Sequence, residues 1–80
     1  MTVRFHPHAR ERMEERGASE EEVRDTVEQF PARFGRTGFR RNFRFDGEWQ
    51  GQYCRIKQVE AYAVQEGSEW LVITVITRYF

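Results

Sequence analysis

The chain has 80 residues, 39% of them apolar and 15% aromatic, and its thirteen basic and thirteen acidic residues give a formal net charge of zero. That balance excludes a uniformly basic nucleic-acid coat, and a single cysteine, Cys54, excludes an internal disulfide. The longest apolar run, residues 70–76 with Thr74 inside it, is far too short to span a bilayer, and residues 1–5 lack the apolar stretch of a signal peptide.

Chains of this size form one domain, here residues 1–80, burying roughly 60% of the unfolded surface. The expected compartment is a reducing cytoplasm. Charge is unevenly spread. Residues 11–28 hold eight acids against three arginines, whereas residues 29–45 hold five arginines (Arg33, Arg36, Arg40, Arg41, Arg44) and no acid.

Thr2-Val3-Arg4-Phe5 reads as a short strand leading into a helix over residues 7–16. Pro7 suits the first helical position, where its missing N–H is not needed. Gly17 suits the left-handed residue that closes a helix, and His6 is the expected cap. Within this helix His8, Arg12 and Arg16 recur every four residues and form one polar stripe, with Ala9 and Met13 beside it as the packing face. Ser19, with Glu22 three residues later, is a capping box. Val23, Thr26, Val27 and Phe30 then follow one face of a second helix, which Pro31 stops. Its other face, Glu21, Arg24, Asp25 and Glu28, reads as a solvated surface.

Strands follow. Phe39, Arg41, Phe43 and Phe45 alternate against Arg40, Asn42 and Arg44, and Asp46-Gly47 signals a tight turn. Residues 48–52 read equally as a loop or a short strand. A long strand is expected over residues 53–64, with Val59, Ala61 and Ala63 on one side. Residues 65–69 form a hairpin turn, and residues 70–80 are a strand rich in β-branched residues. Its nearly continuous apolar run predicts a central strand covered on both faces, or nearly so. The order predicts an α+β fold: a short N-terminal strand and two helices packed on one face of an antiparallel sheet of about four strands.

Four groups of residues carry candidate chemistry. The stripe of His8, Arg12 and Arg16 offers an acid or base beside two guanidiniums able to hold a phosphate, or else a solvated face of ion pairs. Arg36, Arg40, Arg41 and Arg44, interleaved with phenylalanines, suit RNA or an acidic partner protein, or else a strand with its arginines in water. Thr77 and Tyr79 share one face of the last strand, with Thr74 and Arg78 on the other; hydroxyls there can orient a phosphate, or are ordinary strand composition. Cys54, beside Arg55 and Lys57, reads as a packed core thiol. His6-x-His8 lacks further ligands for a metal site. No phosphate-binding glycine loop and no hydrolase or zinc motif is present, so neither metal nor cofactor is expected.

Three stretches together resemble a known family. They are Phe5-x-x-His8-Ala9-x-x-Arg12-x-x-x-Arg16-Gly17, then Ser19-x-x-x-Val23, then Trp70-Leu71-Val72-Ile73-Thr74-Val75-Ile76-Thr77. The pattern resembles small bacterial domains grouped with the RelE/ParE-type toxins, although His6 stands where such domains more often carry Ser or Thr. The resemblance implies a curved antiparallel sheet under two helices. It also implies a metal-independent endoribonuclease of a toxin–antitoxin system, which cleaves RNA by attack of the 2′-OH and is neutralised by an antitoxin protein. His8, Arg12 and Arg16, assisted by Thr77, Arg78 and Tyr79, would take the catalytic places. The alternative it implies is a non-catalytic domain that inhibits a protein partner.

Overall fold

The structure is a computed structural model that describes residues 2–28 and 37–80. Strand β1 (Thr2–Phe5) leads into α1 (Pro7–Arg16) and α2 (Glu20–Glu28); β2 (Gly38–Trp49), β3 (Gln52–Glu66) and β4 (Glu69–Tyr79) follow. The architecture is α+β, with two helices and an open four-stranded sheet. Phe30, Pro31, Arg33, Phe34 and Arg36 lie outside the described residues.

Local chemistry sets the helix ends. The Nδ1 of His6 accepts from the His8 N–H at 3.1 Å, capping α1 at its start. Gly17 closes α1 at φ 73°, the left-handed conformation that glycine adopts without a Cβ penalty. Ser19 and Glu22 exchange hydrogen bonds of 3.0 and 3.1 Å, so each side chain satisfies a backbone N–H at the start of α2. Ala9 and Met13 of α1 and Val23, Thr26 and Val27 of α2 are buried.

The strands run in the order β1-β4-β3-β2. The sheet is mixed rather than antiparallel: β1 pairs with β4 in parallel, Val3 opposite Trp70, while β2–β3 and β3–β4 are antiparallel. Two helices and two strands separate β1 from β4, a connection long enough to bring the chain back in the same direction.

Two irregularities shape the sheet. The first is at Asp46-Gly47, which is not a turn. Strand β2 continues to Trp49, and the register shifts between Arg44 and Gly47, with Asp46 at φ 45°. A bulge accommodates the left-handed residue as readily as a turn does. The hairpin instead turns at Gln50 and Gly51, both at positive φ (51° and 81°), as tight two-residue turns require. Residues 48 and 49 are therefore strand.

The second irregularity lies in β4. Tyr62 pairs with Thr74 and Ala63 with Val72, which leaves Ile73 as an additional residue. The inward side chains change from even positions (Trp70, Val72) to odd ones (Val75, Thr77, Tyr79). This corrects the expectation that β4 is covered on both faces. Trp70, Val72 and Val75 are fully buried, but Ile73 is 36% exposed. The unbroken apolar run marks a change of parity, not a second covering layer.

The helices cover one sheet face. Val3, Phe5, Ala9, Met13, Ala18, Val23, Val27, Phe39, Val59, Ala61, Ala63, Trp70, Val72 and Val75 form one buried cluster. The rings of Phe39 and Trp70 meet edge to face at 5.1 Å, a favoured aromatic geometry.

Candidate functional site

At the C-terminal end of α1, the last helical carbonyls lack helical partners, and the sheet supplies them. The Arg16 carbonyl accepts from the Thr77 hydroxyl at 3.0 Å and from the Tyr79 hydroxyl at 2.7 Å. The Gly17 carbonyl accepts from the Lys57 ammonium at 2.6 Å. Lys57 also reaches both carboxylate oxygens of Glu22, at 2.9 and 3.1 Å. One buried ammonium thus joins the end of α1 to the start of α2. The Arg16 guanidinium donates to the Val75 carbonyl at 2.5 Å.

Aromatic rings close this joint. Trp49 stacks on Tyr79 at 4.3 Å, and Phe45 meets Tyr79 at 5.0 Å. The Lys57 ammonium lies within 6 Å of the Phe45 and Tyr79 ring centroids, at 5.7 and 5.9 Å, within cation–π range. Burial, though opposed by a hydrogen bond with Thr77, raises the Tyr79 pKa and keeps its phenol a neutral donor. Burial also pushes the Glu22 carboxyl up, but the Ser19 N–H and the Lys57 ammonium outweigh it and hold the group below its usual 4.5. Cys54 is buried nearby, its Sγ 3.6 Å from the Gln52 carbonyl.

The structure therefore brings Arg16, Thr77 and Tyr79 together as the packing joint between α1 and β4. It does not bring His8 to them. His8 and Arg16 are eight residues apart on α1, about 12 Å along its axis at the rise of an α-helix. His8 is exposed at the opposite helix end. Arg12, one turn from His8, pairs with Glu15 at 2.9 Å.

The uncovered sheet face carries a second constellation. Alternation places Arg40, Asn42 and Arg44 of β2 there, beside Gln58, Glu60 and Tyr62 of β3 and Thr74, Ile76 and Arg78 of β4. Glu60 is its centre. It accepts from the Tyr62 hydroxyl at 2.7 Å and from Arg78 at 3.0 Å, and Arg40 stands at 3.8 Å. The Tyr62 hydrogen bond lowers the Glu60 pKa and, together with Arg78 and Arg40, overcomes the opposing effect of burial. Tyr62 is raised in turn by its bond to that carboxylate. Gln58 donates to Asn42 at 3.0 Å and accepts from Arg78 at 3.5 Å.

Arg41 does not join Arg40 and Arg44. It points to the other face, where its Nη1 donates to the Asp25 carbonyl of α2 at 3.5 Å and its guanidinium lies 5.3 Å from the Phe43 ring centroid. Arg44 pairs with Asp46 at 2.7 Å and keeps 84% of its side chain exposed.

Sequence reasoning missed Glu60 and Lys57. Strand periodicity could have grouped Gln58, Glu60 and Tyr62 on one face, but the register against Arg40 and Arg78 is a tertiary fact. Lys57 lies at a core-facing position of β3, an inward charge that alternation alone could have flagged. Among the described residues no three His, Cys, Asp or Glu side chains gather to hold a metal, and no helix is long and apolar enough to cross a membrane. Compared with protein-family models, with curated proteins and with solved structures, the chain matches none.

Proposed function

We propose that this protein is a non-catalytic binding domain of RelE/ParE type, acting in the cytoplasm, that inhibits a protein partner through its uncovered sheet face. One observation carries the reading. Arg16, Thr77 and Tyr79 are engaged in holding α1 to β4, whereas Arg40, Arg44 and Arg78 stand on the uncovered side with 62%, 84% and 57% of their side chains exposed. Arginine on a face with polar and aromatic neighbours is a favoured anchor for a protein partner.

A second reading is a metal-independent endoribonuclease toxin, held in check by an antitoxin. The observation favouring it is that His8 and Arg12 stand one turn apart on the outer side of α1. The imidazole would take the proton of the ribose 2′-OH as that oxygen attacks phosphorus. The bond to the 5′-oxygen breaks, and that oxygen regains a proton. Arg12 would stabilise the charge on the phosphate.

Induced expression in a bacterial host separates the two. The binding reading expects growth arrest that survives His8→Ala and Arg12→Ala, is lost in Arg40→Glu/Arg44→Glu, and leaves RNA intact. Arrest lost in His8→Ala, with RNA cleaved in EDTA by the wild type alone, assigns the nuclease instead. Absence of arrest by the wild type overturns both.

A further inference from the structure

We propose that the outer edge of β2, from Arg41 to Phe45, receives an acidic extended segment of a partner protein as an additional strand of the sheet. The inference rests on the binding-domain reading and names its partner's chemistry. Strand β2 ends the sheet order and pairs with β3 alone among the described residues. Such an edge presents every second N–H and C=O outward, a template for strand addition. It is the longer of the two edges, with twelve residues against four in β1.

Charge selects the occupant. Residues 38–45 hold Arg40, Arg41 and Arg44 and no acid. A second copy pairing antiparallel about Asn42 would set Arg40 against Arg44 twice, and like charges directly opposed destabilise a ladder. The same arginines favour carboxylates at the partner's facing positions. The Arg44–Asp46 pair is largely exposed, so it is worth little and yields to a facing carboxylate. Side chains on the other face of the added strand would meet Phe43 and Phe45, both half-buried. The fitting segment therefore alternates: acids on the uncovered face, apolar residues on the helix side.

The probe is an acetylated, amidated Glu-Val-Glu-Val-Glu-Val-Glu peptide, added to the full chain at physiological salt and followed by amide hydrogen exchange. Binding as a strand slows exchange at alternate amides between Arg41 and Phe45, about 100-fold at free peptide 100 times its Kd. Arg44→Glu, at an exposed position that leaves folding intact, weakens the peptide about fivefold or more. A peptide N-methylated at each Glu keeps the charges but loses the N–H donors that face the outward backbone of Asn42 and Arg44, and should not bind.

Equal binding of the N-methylated peptide, or protection confined to other strands, overturns strand addition. So does a concentration-dependent dimer protected along β2, which gives the edge to a second copy. So does preference for single-stranded RNA over the peptide at that edge. None of these results touches the growth-arrest outcome, so failure of this inference is distinguishable from failure of the binding-domain reading.

Discussion

Replacing Lys57 by methionine tests the joint between helices and sheet. The ammonium is 9% exposed and its partner Glu22 23%. Methionine keeps the stem's packing and removes three bonds: one to the Gly17 carbonyl and two to Glu22. Breaking a buried pair by deleting one partner costs about 3–5 kcal/mol, because a charge is left unpaired. Glu22 retains the Ser19 N–H and some solvent, so the lower end, about 3 kcal/mol, applies. For a domain of this size each kcal/mol lowers Tm by about 4–8 °C, so Lys57→Met should melt about 12–24 °C below wild type by circular dichroism. The pH dependence adds a signature. The folded Glu22 pKa lies below its usual value. Its contribution is therefore present above the ordinary carboxylate range and lost as pH falls through the depressed value. Lys57→Met should flatten that acid limb, and Glu22→Gln should cost less in the Lys57→Met background than in wild type. A Tm loss below about 4 °C, or an unchanged acid limb, would refute a joint held by this ammonium.

Gly17→Ala should destabilise by more than about 1–2 kcal/mol, because φ 73° disfavours alanine and its Cβ would stand 2.8 Å from the Tyr79 hydroxyl and 2.9 Å from Trp49; tryptophan fluorescence should report the displaced Trp49. Ser19→Ala removes the cap of α2 at about 1 kcal/mol, readable as a lower urea midpoint at constant m-value. Glu60→Gln should cost about 2 kcal/mol at neutral pH, since charge-assisted bonds to Arg78 and Tyr62 weaken. Because the folded Glu60 pKa is depressed, wild type and variant should converge as pH falls below the usual carboxylate range, by thermal melts across pH.

Local signals were legible in the residues themselves. Pro7 and Gly17 bracket α1, Ser19 and Glu22 cap α2, and the buried positions of α2 follow its period, because each depends on neighbours within one turn of chain. The alternation of Val59, Ala61 and Ala63 was legible for the same reason. The Asp46-Gly47 turn was misread because a bulge and a turn ask for the same left-handed residue, and only the partner strand distinguishes them.

The candidate site divides along the same line. Sequence put His8, Arg12 and Arg16 on one helix stripe and Thr77 and Tyr79 on one strand face, and both placements are intrinsic to helical and strand periods. Whether those groups face a ligand or each other depends on packing. The end of α1 comes to rest on β4, so the two hydroxyls meet the Arg16 carbonyl, whose desolvation requires a donor. Likewise, the parallel pairing of β1, the parity change at Ile73 and the register that sets Glu60 among Arg40, Tyr62 and Arg78 join residues far apart in the chain. Sequence by itself determined which short segments fold and which side of each is apolar. Tertiary structure alone decided which polar groups close the fold and which stand exposed on the uncovered face, because buried polar groups must be satisfied across elements, and that choice is made only when the elements meet.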